Sequence, residues 1–519
     1  MPVYDYQYWR SDAWDPLSYG REYDFKRSFF EQFKAMHDTV PVRNLDIVNS
    51  TNCDYCITAT DSKNCYLCSG TFGAENCLYS HTILMSKECI DTHLSLFNEQ
   101  TYQVFAVDKS FQTTYAVYSD ELINCDFMYD CRGCGDCLGC VGLRNKRYCI
   151  FNKQYSKEEY KKERAKYNLG SYKALLEVKK QFDQLLLNFP KKYAIIRNAP
   201  GCTGDNIMNV KNSHFVFQAL DNIENCKYAL VVGRGAKDSQ DFSGSGLKSA
   251  ALYEAVGVIA SYRVYFSRRI FNSQDVYYSR ECHNREFLFG CVGLTNKKYC
   301  ILNKQYTKEE YEKLVPKIIE QMRELPYRSP SGKTYTFGEF FPIEHSPLAY
   351  NVSWANEYFT LTKEEVAQRG YAWEDQERGV HRVSIEASKL PDDIVDVPQS
   401  ITNEIVGCLD AGKCRHNCVK VFRITPTELT FYKKFNIALP RLCPTCRFRD
   451  SLKYLTPYRL WNRQCMCQSQ EAKDKGRGYV NQGKHFHGID SCPNTFQTAY
   501  APERLDLLYC ESCYHAEIL

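Results

Sequence analysis

The sequence predicts a mostly-β chain: two tandem β-solenoids, each closed by a helix, followed by a domain of paired cysteines. Three observations carry this reading. Cysteine returns every twelve residues between Cys53 and Cys149, the same ending recurs at Cys300, and ten of the 27 cysteines fall after residue 400. Self-similarity at a short fixed period is the mark of coils stacked on one another.

The beat runs through Cys53, Cys65, Cys77 and Cys89, then Thr101 and Thr113, then Cys125, Cys137 and Cys149. Just before it stand Asn52, Asn64, Asn76, Glu88, Gln100, Gln112, Asn124 and Asp136. Stacked coils place equivalent residues about 4.8 Å apart, so one column must fill a narrow interior where Leu would crowd. The neighbouring amides can bond up the axis as a ladder. A second small column follows at Cys56, Cys68, Ser80, Thr92, Val104, Ala116, Met128 and Cys140. The spacing leaves open whether twelve residues close a coil or two units make a wider one.

In chain order, residues 1–48 are an aromatic lead-in. Phe25, Phe29, Phe30, Phe33 and Met36 recur at helical spacing, with Asp24 as N-cap, and this helix is expected to cover the open end of the coils. Residues 49–155 form the first solenoid. Ser156-Lys-Glu-Glu159 is a capping box that opens a helical connector over 156–198, divided at Gly170. Cys291 to Cys300 then copies Cys140 to Cys149 almost letter for letter, and Thr307-Lys-Glu-Glu310 copies the capping box. Residues 199–306 are therefore a second solenoid, closed by a helix over 307–328. Its beat reads Cys300, Leu288, Val276, Val264, Leu252 and Gln240, then a two-residue insertion, then Cys226, His214 and Cys202. Aliphatic residues on that beat mark a column that needs small apolar filler rather than ligands. Residues 329–400 form an irregular connector with a short helix capped by Thr362 and Glu365, and 401–519 form the last domain.

At 519 residues the chain exceeds one core, and a composition 44% hydrophobic and 25% charged is that of an ordinary globular protein. A net charge of +4 is too small to dictate a partner. Met1-Pro2-Val3-Tyr4-Asp5 has neither the basic nor the apolar region of a secretory leader, and no apolar run is long enough to span a bilayer. A cytoplasmic location with reduced thiols is expected, and the thiols then read as metal ligands rather than a disulfide framework.

In the last domain Cys414 and Cys418 pair with Cys443 and Cys446, the four-thiolate demand of a structural zinc. Cys465, Cys467, Cys492, Cys510 and Cys513 offer five thiols for a second zinc, so Cys465 or Cys467 is spare. His485 and His487 read as loop residues, with one of them able to take the place of a thiolate, and Cys408 as a buried free thiol. The set Cys414, Cys418, Phe422-Arg-Ile424, Glu428-Leu-Thr-Phe-Tyr432 and Leu439-Pro-Arg-Leu-Cys443-Pro-Thr-Cys446-Arg447 resembles the treble-clef-type zinc-binding domain family of bacterial proteins. The first knuckle departs from that pattern by one residue. Tyr4 to Phe33, Tyr350 to Trp373, Leu390 to Val397 and Tyr500 to Tyr514 also resemble cysteine-rich proteins of uncultivated, small-genome bacteria. The resemblance implies zinc and a treble-clef or zinc-ribbon-like domain, and it supplies no activity. Pro2 to Trp9 echoes Leu507 to Tyr514, with Asp5 and Tyr8 where the thiols stand.

Cys131, Cys134, Cys137 and Cys140 have iron–sulfur spacing, but Cys137 and Cys140 lie on the two small columns, which favours filler over a cluster. Gly233-Arg-Gly235 is too short to cradle a phosphate. Across 401–463 twelve basic residues face four acidic ones. Arg441, Arg447, Arg449, Lys453, Arg459 and Arg463, interleaved with Tyr454, Tyr458 and Trp461, make a candidate nucleic-acid surface. The leading function is a non-enzymatic zinc-binding scaffold whose solenoid faces take an extended polymer or protein. Nucleic-acid binding stands second and a metal-dependent hydrolase or nuclease third. The sequence leaves the oligomeric state open.

Overall fold

The computed structural model describes residues 1–519 except 233–234, 242, 245–248, 376–380, 411, 415–417, 469–478 and 519. Gly233 and Arg234 thus lie outside the described residues. Most strands fall into two eleven-stranded sheets, one spanning residues 46–154 and the other 196–305. Within each, successive strands pair in parallel, except for an antiparallel turn-back at the end. In the first sheet Cys125 faces Cys137, Cys137 faces Cys149 and Thr101 faces Thr113, so one twelve-residue unit makes one coil.

The coil is made of triplets. Every third residue through most of the first sheet has φ near +50°: Asn49, Asn52, Tyr55, Asp61 and Asn64 begin the series. Each left-handed residue turns the chain, the next points inward and the third outward, so four triplets close a square. Four columns therefore fill the shaft. Besides the two legible columns, Ala59, Thr71, Ile83, Ser95, Val107, Ser119 and Cys131 form a third, and Ser62, Ala74, Ser86, Asn98, Ser110, Leu122 and Cys134 a fourth, all buried. The left-handed conformation costs an ordinary side chain roughly 1 kcal/mol, which explains the Asn, Asp and Gly at many corners. The Asn/Gln column is such a corner, and its amides bond along the axis: Asn52 to Asn64 at 3.1 Å, Asn64 to Asn76 at 3.0 Å and Gln112 to Gln100 at 3.0 Å.

The interior thiols behave as serines do. Ser119 Oγ donates to Val117 O two residues back and accepts Cys131 N from the next coil. Cys131 Sγ likewise donates to Tyr129 O, and Leu143 N donates to it. Burial pushes the Cys282 thiol up to about 12. Cys131, Cys134, Cys137 and Cys140 point inward from the four sides of one coil, each bonded to the carbonyl two residues earlier.

In the second sheet the two extra residues are a net count: one eleven-residue step from Cys202 to Ser213 is followed by three of thirteen, His214 to Lys227 to Gln240 to Tyr253. Glu224 faces Lys237 and Lys237 faces Ala250, so these coils hold thirteen residues. The inward beat is accordingly Leu252, Ser239, Cys226 and Ser213, with Ser239 and Ser213 fully buried. Gln240 and His214, placed on the beat by counting, point outward and are exposed.

The helices lie against the flanks of the sheets. Tyr172–Asn188 packs Leu175, Val178, Phe182 and Leu186 on Phe127, Leu138 and Ile150 of the first sheet. The N-terminal helix Phe29–His37 packs Phe29, Phe30, Phe33 and Met36 on Tyr278, Phe289, Ile301 and Leu302 of the second. That corrects two expectations. The helix covers the flank of the second sheet rather than the opening of the first, and it starts after Ser28, not Asp24. Gln32 reaches back to bond Asp24 N and the Asp24 and Arg27 carbonyls, holding 24–28 as a turn. The capping boxes at Ser156, Thr307 and Thr362 are all present, and 165–171 separates the two connector helices. Among the described residues no helix is long and apolar enough to cross a membrane.

The C-terminal segment is seated on the first sheet. Ile424, Leu429, Phe431, Tyr432 and Leu439 pack on Leu78, Tyr79, Ile90 and Tyr102. Under this interface Arg447 bonds both oxygens of Asp91, at 2.7 and 3.4 Å, while Glu428 accepts from Tyr79 at 3.0 Å and Tyr432 at 3.2 Å. Burial opposes the Arg447 charge, but Asp91, with Tyr432, Tyr102 and Glu428 behind it, more than offsets this and raises its pKa.

Candidate metal centres

Two short antiparallel pairings set up the C-terminal thiols. Val406–Gly407 pairs with Val421–Phe422, and Trp461–Gln464 pairs with Thr495–Thr498. Each is faced by the start of a helix, Pro444–Leu452 in one case and Glu511–Ile518 in the other. A cysteine at the head of each helix, Cys443 or Cys510, and another one turn on, Cys446 or Cys513, point back at the pairing. Helix N-termini favour the thiolate form through their unpaired N–H groups and dipole.

In the first centre the buried thiols of Cys408, Cys418, Cys443 and Cys446 lie within 4.8 Å of one another. Cys408, expected to be a free thiol, stands where Cys414 was placed. Cys408 N bonds Lys420 O at 2.7 Å, which sets Cys408 and Cys418 side by side, and Cys443 N donates to Cys408 Sγ at 3.3 Å. Cys414 sits beside the centre, grouped with Asp410 and Cys446. The signal in the sequence was the three-residue gap from Cys414 to Cys418, one longer than a tight knuckle allows.

The second centre gathers Cys465, Cys492, Cys510 and Cys513, all buried and again within 4.8 Å. Cys510 N donates to Cys465 Sγ at 3.1 Å, matching the first centre, and Asn494 donates to Cys510 Sγ at 3.3 Å. Of the two candidates Cys465 and Cys467, it is Cys465 that joins this four-thiol group. Cys467 is not idle, however. It converges with His485, His487 and Cys513, so the two histidines read as loop residues belong to a ligand-capable group. Their two-residue spacing near a surplus thiol was the available clue.

Four thiols in a compact buried set suit a tetrahedral divalent ion and leave it no open position. The chemistry of both donor sets fits zinc.

The six basic residues named as a nucleic-acid surface are mostly turned inward. Arg447 holds Asp91, and buried Arg441 donates to Leu390 O and Pro391 O at 3.2 and 2.7 Å. Arg449 donates to Asn356 O and Glu357 O, and Arg463 to Ala501 O. Lys453 bonds Asp450 at 3.0 Å, and Arg459 lies over Trp461 at 5.3 Å. Lys453 and Arg459 are exposed, so the surface retains two of its six cations.

No family model matches the chain, and no curated protein sequence matches it. Among solved structures, a protein provisionally described as an acetyltransferase from Desulfovibrio desulfuricans G20 is similar over 56% of this chain and 86% of its own. It is 8% identical with a TM-score of 0.11, a level that carries no argument.

Proposed function

We propose that the protein is a non-catalytic scaffold: two tandem solenoids joined to a treble-clef-type segment in which each four-thiol group holds a structural zinc. The observation that carries this reading is the closure of both groups. Four buried sulfurs satisfy the ion and leave nowhere for substrate or water, which is the signature of a structural rather than a hydrolytic site. The working face is then a coil corner. Phe72, Leu84, Met85 and Phe97, on three successive coils of the first sheet, are 46, 37, 52 and 46% exposed. A row of apolar side chains at coil spacing suits an extended polypeptide.

Metal analysis of full-length wild type and of C408S and C414S tests the centres. At least two zinc ions per chain are expected, with one lost in C408S and none in C414S. Zinc that leaves without structural loss, or activity that depends on it, would overturn the scaffold reading. A photocrosslinker at Met85 is expected to capture a polypeptide, and F72S/F97S to abolish the capture.

A further inference from the structure

We propose that the second centre binds two metal ions, not one, with Cys513 Sγ bridging them. The first ion sits among Cys465, Cys492, Cys510 and Cys513; the second is held by Cys467, His485, His487 and Cys513. This rests on the reading that the four-thiol group is a zinc site.

The argument starts from the histidines. His487 Nδ1 lies 2.7 Å from Asp490 O, a carbonyl that can only accept, so Nδ1 carries the proton and Nε2 presents its lone pair. That Nε2 points at Cys513 Sγ, 3.2 Å away. His485 is held in the opposite sense. Its Nε2 lies 2.5 Å from Glu517 Oε1, which leaves the Nδ1 lone pair facing Cys467 Sγ at 3.3 Å. Both rings are thus fixed from behind with their free nitrogens turned toward sulfur. Ligating histidines are held this way, one nitrogen on the metal and the other on a carboxylate or carbonyl.

The support behind the ligands is itself built. The Glu517 side chain has no solvent exposure, and that of His485 is 2% exposed. Glu517 Oε2 accepts from Tyr479 OH at 2.8 Å and Gln482 N at 2.9 Å, and Oε1 accepts from Gly483 N at 3.0 Å. Asn481 donates to Cys467 Sγ at 3.0 Å, oriented by Tyr509 OH on its other end at 2.5 Å. Two sulfurs and two imidazoles within 4.8 Å are a zinc-type donor set. Charge points the same way. Four thiolates around one dication leave two net negative charges in a buried place, whereas the five thiolates around two dications leave one.

The test uses the full chain. Wild type is expected to carry three zinc per chain, H485Q/H487Q two, and C467S two, with C414S unchanged at three. In protein reconstituted with ¹¹³Cd²⁺, two resonances of the second centre are expected to show mutual scalar coupling through Cys513, absent in the histidine variant. E517Q is expected to weaken only the third equivalent, by roughly 10- to 100-fold in chelator competition. Two zinc in wild type would overturn this proposal and leave the four-thiol reading standing, with His485 and His487 as hydrogen-bond partners of thiols. Fewer than two would overturn both. Three zinc unchanged in H485Q/H487Q, or uncoupled cadmium resonances, would overturn the bridge.

Discussion

The two ends of the chain do the same job on the two sheets, and only one of them uses thiols. At the C-terminus Leu508–Tyr509 pairs in parallel with Lys191–Lys192 and runs into the helix Glu511–Ile518. At the N-terminus Val3–Tyr4 pairs in parallel with Val42–Arg43 and runs into the helix Tyr6–Arg10. Each partner strand follows a flanking helix and leads into a sheet. The contacts correspond as well. A Cβ on Gly142 would meet Phe189 at 2.6 Å, while one on Gly293, its counterpart in the copied segment, would meet Trp14 and Trp9 at 3.5 Å and Val40 at 3.8 Å. Where the C-terminal helix offers Cys510 and Cys513, the N-terminal one offers Asp5, whose carboxylate caps Gln7 N at 2.8 Å, and Tyr8, packed on Tyr4 at 5.0 Å. Trp9 packs near Trp14 at 6.0 Å, takes the Arg43 guanidinium over its ring at 5.4 Å, and bonds Pro41 O at 3.0 Å. One strand–helix unit is thus held by convergent sulfurs in one place and by aromatic burial in the other.

Stripping metal from the full chain gives the largest expected contrast. Structural zinc contributes roughly 10–16 kcal/mol in small domains, so hydrogen exchange should rise sharply over 508–518 and stay unchanged over 3–10. Equal loss at both ends would break the comparison. Trp9→Ala is the converse, expected to cost about 3–5 kcal/mol in denaturant unfolding with metal content unchanged.

A smaller effect separates the ends by pH. Burial disfavours the Asp506 charge, but Lys191 and Arg504 hold its carboxyl well below the usual carboxylate range. A depressed carboxyl contributes stability above its unfolded pKa, about 4, and loses it as pH falls through the folded value. Acidification below pH 4 should therefore loosen the Lys191–Leu508 pairing before the Val3–Val42 pairing, read by exchange at Lys191 and Val42. Asp5→Ala, which removes only a helix cap, is the smallest, at about 1 kcal/mol.

Much of this was legible because it is periodic or local. The twelve-residue beat, two interior columns, the amide ladder and the capping boxes each depend on residues within one coil or one turn. The triplet geometry was not, because Tyr55, Leu67 and Phe97 adopt a left-handed backbone that runs against their own preference and is imposed by the coil. Three thirteen-residue coils and one of eleven mimicked a single two-residue insertion, which moved Gln240 and His214 onto the wrong column. In the metal centres the helix-borne Cys443, Cys446, Cys510 and Cys513 were readable from spacing. The choice of Cys408 over Cys414 was not, since it depends on how a loop folds back. Arg447 looked like a phosphate contact because nothing near it in sequence reveals Asp91, 356 residues away. The echo between Pro2–Trp9 and Leu507–Tyr514 proved to be an echo of structure.

The crossed docking has a consequence for the order in which the protein matures. Tyr23 bonds Gln321, 298 residues ahead of it, and Tyr514 bonds Asp130, 384 residues behind. During synthesis the first coils therefore emerge long before their cover is translated, and the N-terminal aromatic segment waits for a surface that the ribosome has not yet made. Until residues 266–322 have emerged the aromatic segment has no surface to dock on, and until residues 424–514 follow the first sheet keeps a bare flank, so synthesis of this stretch is where a chaperone would matter most.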